Sequence, residues 1–261
     1  MEKIILKTDN LSIGYSGKNG VNVVASDINL SLEKGKVISL IGGNGIGKST
    51  LLRTITGIQK PLFGKVILNE KEIGNYLSAT LAKELSLVLT EKLPPSNLTV
   101  FELIALGRQP YTNWLGKLTS EDLSKIKTAM MQTETTSLAE KKHYEISDGQ
   151  LQKVLIARAL AQDTPLIVLD EPTTHLDLQH KVSLFQLLKK LAHETGKCIL
   201  FSTHDIDMAI QLSDEMILML PEKTIQGKPA EFISSNTFEK LFTGGGIIFD
   251  AEKVKFVFKN L

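Results

Sequence analysis

The chain has 261 residues, 42% hydrophobic and 23% charged, enough apolar material for one large α/β domain or two small ones. Its 30 basic and 29 acidic residues leave a net charge of +1, which excludes a general electrostatic attraction to nucleic acid. A single cysteine, Cys198, excludes an intramolecular disulfide framework, and residues 1–6 lack the apolar stretch of a signal peptide.

Residues 11–15, 29–32 and 65–68 read as short β runs separated by glycine-rich or polar stretches, the pattern of an antiparallel subdomain. Among them, residues 36–41 form a strand run ending at a glycine loop. Residues 51–58 read as the helix after that loop, with Gly57 and Pro61 as stop signals. The loop is Gly42-Gly43-Asn44-Gly45-Ile46-Gly47-Lys48-Ser49-Thr50. It matches G-x-x-x-x-G-K-[ST] in the strand–loop–helix context that the motif requires. Its glycines let backbone N–H groups close around phosphate oxygens, and the helix N-terminus adds a favourable dipole. Lys48 is expected to reach the β- and γ-phosphates of a nucleotide, and Ser49 to coordinate Mg²⁺.

From residue 99 to 160 the pattern is mainly helical. Thr99 and Glu102 have capping-box spacing, with Phe101, Ile104 and Ala105 for an apolar face and Gly107 as a stop. Residues 119–131 form a second amphipathic segment with Leu123, Ile126 and Met130 at helical spacing, and Met130 and Met131 read as packing residues. Ser147 and Gln150 repeat the capping-box spacing.

The last third returns to strand–helix alternation. Residues 166–169 and 198–202 are continuous apolar runs, the mark of strands buried on both faces of a parallel sheet, with a helix over 178–194 between them. Cys198 heads the second run and reads as a buried core thiol. Residues 244–261 hold two β-like runs around 250–253, a closing hairpin. No window approaches the roughly 20 apolar residues of a membrane span, so a soluble chain is expected, with any membrane role coming through a partner.

Run 166–169 delivers Asp170 and Glu171 at its C-terminal end, where α/β sheets put their ligands. Asp170 is expected to hold Mg²⁺ through its water shell. Glu171 is expected to orient and polarise the attacking water, the two carboxylates pointing opposite ways as consecutive strand residues do. Alone, an Asp-Glu pair before Pro172 would be a solvated turn, but the phosphate loop in the same chain favours the catalytic reading. His204 follows the next strand at the same edge. That position favours a γ-phosphate sensor over the structural role a lone histidine usually has.

These motifs, with Ile146-Ser147-Asp148-Gly149-Gln150 ahead of a helix, resemble the ABC transporter ATPase family over essentially the whole chain. The resemblance implies a P-loop NTPase: a RecA-like core with a mostly parallel sheet, an antiparallel β-subdomain, and an inserted helical subdomain. Core and β-subdomain would cover about 1–90 and 162–261, and the helical subdomain about 91–161. It implies hydrolysis of ATP with Mg²⁺ in a head-to-tail homodimer, where Ser147, Gly149 and Gln150 of one copy meet the γ-phosphate bound by the other. Thr174-His175-Leu176-Asp177 looks like the D-loop crossing that interface. Tyr15 looks like the aromatic residue that stacks on adenine, with ordinary packing left open.

Two positions depart from the family pattern. Asp148 stands where the signature usually has glycine and is expected to face away from the nucleotide, because a carboxylate beside a γ-phosphate is repulsive. Glu91 stands where the Q-loop glutamine is expected, and a carboxylate there can still bind Mg²⁺ or water. The stretch Leu98-Thr99-Val100-Phe101-Glu102-Leu103, then Ala105-Leu106-Gly107-Arg108-Gln109-Pro110-Tyr111, is similar to ATPases of type II importers for iron chelates, haem and cobalamin. That similarity implies a polytopic permease as partner, a substrate-binding protein acting indirectly, and a position on the cytoplasmic face of the cell membrane. Tyr111, Trp114 and Leu115 would face the permease or pack on their own subdomain. The competing reading is a soluble ABC scaffold or clamp, as in iron–sulfur assembly. About a hundred residues without sustained heptads separate Lys48 from Ser147, too few for the long coiled coil of repair ATPases. A third reading, a nucleotide-binding module with weak turnover, is opposed by the intact Lys48, Asp170, Glu171 and His204.

Overall fold

The computed structural model describes residues 4–17, 20–89, 93, 96–174, 176–241 and 246–258. The chain begins with β1 (Ile4–Gly17), β2 (Gly20–Ile28), β3 (Ser31–Glu33), β4 (Val37–Gly42) and α1 (Lys48–Ile55). Then come β5 (Phe63–Leu68), β6 (Lys71–Glu72), α2 (Ser78–Leu81) and β7 (Leu85–Val88). A helical stretch follows: α3 (Val100–Ala105), α4 (Ser120–Gln132) and α5 (Asp148–Ala161). The last third holds β8 (Leu166–Leu169), α6 (Leu178–Thr195), β9 (Cys198–Ser202), α7 (Ile206–Leu212), β10 (Glu215–Met219), β11 (Thr224–Gly227) and α8 (Pro229–Ser234). The hairpin β12 (Ile247–Asp250) and β13 (Lys255–Phe258) closes it, as the two apolar runs of the tail predict.

Strands β10, β4, β9, β8 and β7 are parallel neighbours in a 6-stranded sheet, and β11 joins its β10 edge antiparallel. A second, antiparallel sheet is built on β1, which pairs with β2, β3 and β5. The continuous apolar runs now have a physical cause. On β8, Leu166 and Val168 join a core with Leu51 and Ile55 of α1, while Ile167 and Leu169 join another with Val154 of α5 and Phe185 of α6. On β9, Cys198 and Leu200 take the first core, Ile199 and Phe201 the second. Side chains alternate along a strand, and here both faces meet hydrophobic layers, so every position is apolar. Burial pushes the Cys198 thiol well above its ordinary value, so it behaves as a small hydrophobe.

In the helical stretch the capping box forms as expected: the Glu102 N–H donates to Thr99 Oγ1 at 3.1 Å, and the Thr99 N–H to Glu102 Oε2 at 2.7 Å. The details of the apolar faces differ from the sequence expectation. Helix α3 buries Val100, Leu103 and Ile104, with Phe101 and Ala105 at the margin. Gly107 does not stop the chain's winding, which continues as a 3₁₀ turn over Leu106–Tyr111. On α4, Ile126, Ala129 and Met130 face inward, whereas Met131 is 64% exposed and Leu123 38%. Each residue turns about 100° around a helix, which carries Met131 off the stripe that holds Met130. Asp122, the neighbour of Leu123, is buried and meets Arg108.

The Arg108 Nε donates to Asp122 Oδ1 at 2.8 Å, both side chains being 4% exposed. Its Nη1 donates to Ala161 O at 2.8 Å, and its guanidinium lies 3.9 Å from the Tyr111 ring centroid. One cation thus joins the 3₁₀ turn, α4 and the C-terminal end of α5. The Thr119 N–H, its hydroxyl and the Arg108 guanidinium hold the Asp122 carboxyl below the usual aspartate range, against the opposing effect of burial. A carboxyl with a depressed folded pKa contributes stability above its unfolded value of about 4 and loses it as pH falls through the folded value. Asp122→Ala is therefore expected to cost about 3–5 kcal/mol in urea unfolding at pH 7, because it strands a buried guanidinium. The gap from wild type should narrow below about pH 4. A loss under about 1 kcal/mol at pH 7 would mean that the pair is dispensable.

Candidate active site

The phosphate loop leaves β4 at Gly42 and enters α1 at Lys48, so Lys48 and Ser49 occupy the first turn of the helix, earlier than the start at residue 51 that the sequence suggests. Gly47 caps the helix at φ 113°, a conformation L side chains rarely adopt, and a Cβ there would stand 2.4 Å from Val24 Cγ1. The Lys48 Nζ turns back on the loop, donating to Gly42 O at 2.9 Å and Gly43 O at 3.3 Å. Burial holds its ammonium below the ordinary lysine range, while the charges of Glu171 and Asp170 pull the other way. Gly43, Asn44, Gly45 and Ser49 are exposed, Ile46 is half-buried, and Thr50 is buried.

Asp170 and Glu171 follow directly on β8. The Ser202 hydroxyl, fully buried at the end of β9, donates to Asp170 Oδ1 at 2.6 Å and accepts from the Glu171 N–H at 2.8 Å. Glu171 has φ 48°. The two carboxylates therefore diverge because the chain turns left-handed at Glu171, and not by strand alternation, since β8 has already ended at Leu169. Glu171 Oε1 is 2.6 Å from His204 Nε2. Beside His204, Asp205 accepts from Thr173 Oγ1 at 2.7 Å and Lys181 Nζ at 2.8 Å, which fixes the loop after β9. The Ser49 hydroxyl and the Asp170 carboxylate are hard oxygen donors, a set that fits Mg²⁺. Glu91 and His175 lie outside the described residues.

Tyr15 is half exposed, and its hydroxyl shares a 2.9 Å hydrogen bond with Thr50 Oγ1. It borders an open cleft with Arg53, Gln59 and Phe63. A second group of expected residues sits on α5 and α6. The Gln150 N–H donates to Ser147 Oγ at 3.3 Å and the Ser147 N–H to Gln150 Oε1 at 3.1 Å, completing the capping box. Asp148 and Gln150 are exposed, Gly149 is partly buried, and Asp177 caps α6 through the His180 N–H at 2.9 Å. Trp114 is 91% exposed and Leu115 67%, whereas Tyr111 packs on Arg108 and lies 5.0 Å from Lys83 Nζ. Sequence reading assigns no role to Ser202, Lys181 or His180. Ser202 meets Asp170 and Glu171, Lys181 meets Asp205, and His180 lies against Gly149, all partners in other segments.

Residues 25–174 match the protein-family model described as ABC transporter. An uncharacterised ABC transporter ATP-binding protein of Methanocaldococcus jannaschii is 43% identical, covering 91% of this chain and 81% of its own. The iron(3+)-hydroxamate import ATP-binding protein of Bacillus subtilis is 40% identical, covering 91% of this chain and 87% of its own. A solved dimeric ATP-binding cassette, in a post-hydrolysis state bound to ADP and Pi, matches with a TM-score of 0.73 at 29% identity, over 86% of this chain and 99% of that one.

The two hydrogen bonds of Ser202 generate a prediction. Ser202→Ala should lower kcat for ATP hydrolysis by about tenfold, the equivalent of one to two buried hydrogen bonds, with KM within about twofold. Steady-state phosphate release measures both, and an unchanged kcat would remove Ser202 from the site.

Proposed function

The chain belongs to the ABC transporter ATP-binding family, and from that premise we propose that it powers an importer of an iron chelate by hydrolysing MgATP between two head-to-tail copies. The observation that carries the hydrolytic reading is the 2.6 Å contact between His204 Nε2 and Glu171 Oε1 at the mouth of the phosphate loop. The import reading draws on the likeness to the iron(3+)-hydroxamate import protein.

In this mechanism the loop N–H groups of residues 42–50 and the α1 dipole bind the phosphates of ATP. Lys48 exchanges the carbonyls of Gly42 and Gly43 for β- and γ-phosphate oxygens. Bound Mg²⁺, held by Ser49 and Asp170, would supply positive charge to the phosphates, with Glu91 the further candidate ligand. Glu171 orients the attacking water and accepts its proton. His204 keeps the Glu171 carboxylate directed and senses the γ-phosphate. Tyr15 exchanges Thr50 for the adenine ring. Ser147, Gly149 and Gln150 of the second copy approach the γ-phosphate, and Asp177 lies on the same interface.

The proposed partner in the membrane is a polytopic permease, with a substrate-binding protein acting through it. Among the described residues no helix is long and apolar enough to cross a membrane, and the attachment we propose is peripheral, on the cytoplasmic face. Exposed Trp114 and Leu115 are the anchors for that contact. Aromatic side chains of this kind dominate the energetics of interfaces.

Glu171→Gln should bind ATP normally and accumulate as an ATP-bound dimer, with hydrolysis lowered by about 10²-fold or more. Normal turnover would overturn the role of Glu171. Affinity purification of that trapped form from membranes should recover a polytopic membrane protein, and a soluble scaffold partner in its stead would overturn the importer. Asp148→Gly should retain or raise ATP hydrolysis in the assembled complex. A loss beyond about tenfold, or ~1.4 kcal/mol, would mean that the carboxylate is adapted to its position.

A further inference from the structure

Asp177 is bonded twice to one residue. Besides the backbone N–H of His180, its Oδ1 meets His180 Nδ1 at 2.7 Å. Hydrogen bonds from His180, first from its N–H and then from its ring, hold the Asp177 carboxyl below the usual range. This contact anchors the imidazole, which is 54% exposed, over the start of α6.

Its other edge lies against Gly149. A Cβ at Gly149 would stand 2.9 Å from His180 Cδ2 and 3.3 Å from Cγ. Gly149 sits in the first turn of α5, in ordinary helical conformation, where glycine is a poorer helix former than alanine. Its backbone does not demand glycine. Two other reasons can: close approach of a ligand, or close approach of a neighbouring side chain. The structure supplies the neighbour.

We propose that His180 is a positioning residue that locks the Ser147–Gln150 turn to the Asp177 end of α6, so that both are presented to the second copy as one rigid edge. This rests on the paired-site reading above. Among the described residues, no hydrogen bond or ion pair joins His180 to the phosphate loop or to the Asp170–Glu171 pair. It acts on the half of the site that a chain lends to its partner, and it leaves the half that binds ATP on its own unaltered.

The test uses the full chain in the Glu171→Gln background, with ATP-driven dimerisation followed by light scattering. His180→Ala should weaken dimerisation about tenfold, the scale of coupling between residues in contact. Affinity of the isolated chain for a fluorescent ATP analogue should stay within about twofold, which general damage to the fold would not allow. Gly149→Ala should weaken dimerisation in the presence of the His180 ring, and the double variant should be no worse than His180→Ala alone. If Gly149→Ala costs the same with and without the ring, ligand approach explains the glycine and the inference falls. It also falls if His180→Ala dimerises normally. If the Glu171→Gln parent itself forms no dimer with ATP, the paired-site reading fails first and takes this inference with it.

Discussion

The register Leu169↔Phe201 between β8 and β9 is the constraint from which the site follows. One residue further on, Asp170 stands beside Ser202, whose buried hydroxyl bonds both Asp170 and the backbone of Glu171. On the other side of β9, the register Leu40↔Ser202 brings the end of β4, and so the phosphate loop, level with the same residues. A one-residue slip of β8 would exchange its two faces. Leu166 and Val168 would leave their core for that of α5 and α6, and Asp170 would lose Ser202. Both faces of β8 are apolar, so a slip would keep these side chains buried and disturb their packing, and the clear loss would be the Ser202 hydrogen bond to Asp170.

Charge at the site is held in place by short-range partners. Lys48 is 6% exposed, and an isolated ammonium in that position would be expelled or neutralised. Two loop carbonyls and the nearby carboxylates keep it acceptable. Glu171 bears a different cost. A non-glycine residue in the left-handed region is strained by about 1–3 kcal/mol, and such strain persists where surrounding bonds over-determine it. Ser202 holds its N–H and His204 its carboxylate, which is that kind of over-determination.

Legibility in the sequence followed the range of the interaction. The 42–50 loop, the capping boxes at Thr99 and Ser147, and the apolar runs of β8 and β9 are local patterns, and each emerged where the chain said it would. Strand β2 runs against the inside–outside rule: Val21, Val23 and Ala25 alternate, yet Val21 is 57% and Val23 48% exposed, while Val24 of the opposite parity packs on the core. Met131 points outward by the helical step from buried Met130, and Leu123 lies at the margin of the stripe beside buried Asp122, whose partner Arg108 is on another segment. Ser202, the Gly149 contact of His180 and the Arg108–Asp122 pair depend on neighbours in other segments. No spacing rule within one segment can report them.

Asp148 sets local and long-range physics against each other. In the first turn of α5 a carboxylate interacts favourably with the helix dipole, by about 0.3–1 kcal/mol at the surface. Most residues there also improve on glycine, which costs up to about 1 kcal/mol in a helix. Opposing this, a carboxylate about 8 Å from a phosphate charge is repelled by roughly 0.5 kcal/mol in water and roughly 2 kcal/mol at an effective dielectric of 20. The local gain exists in the open chain, where Asp148 is exposed. The repulsion grows only as a second nucleotide approaches and water leaves. On the paired-site proposal, a carboxylate at 148 therefore stabilises the isolated helix and opposes closure over a phosphate, with the balance set by how much water the closed interface retains.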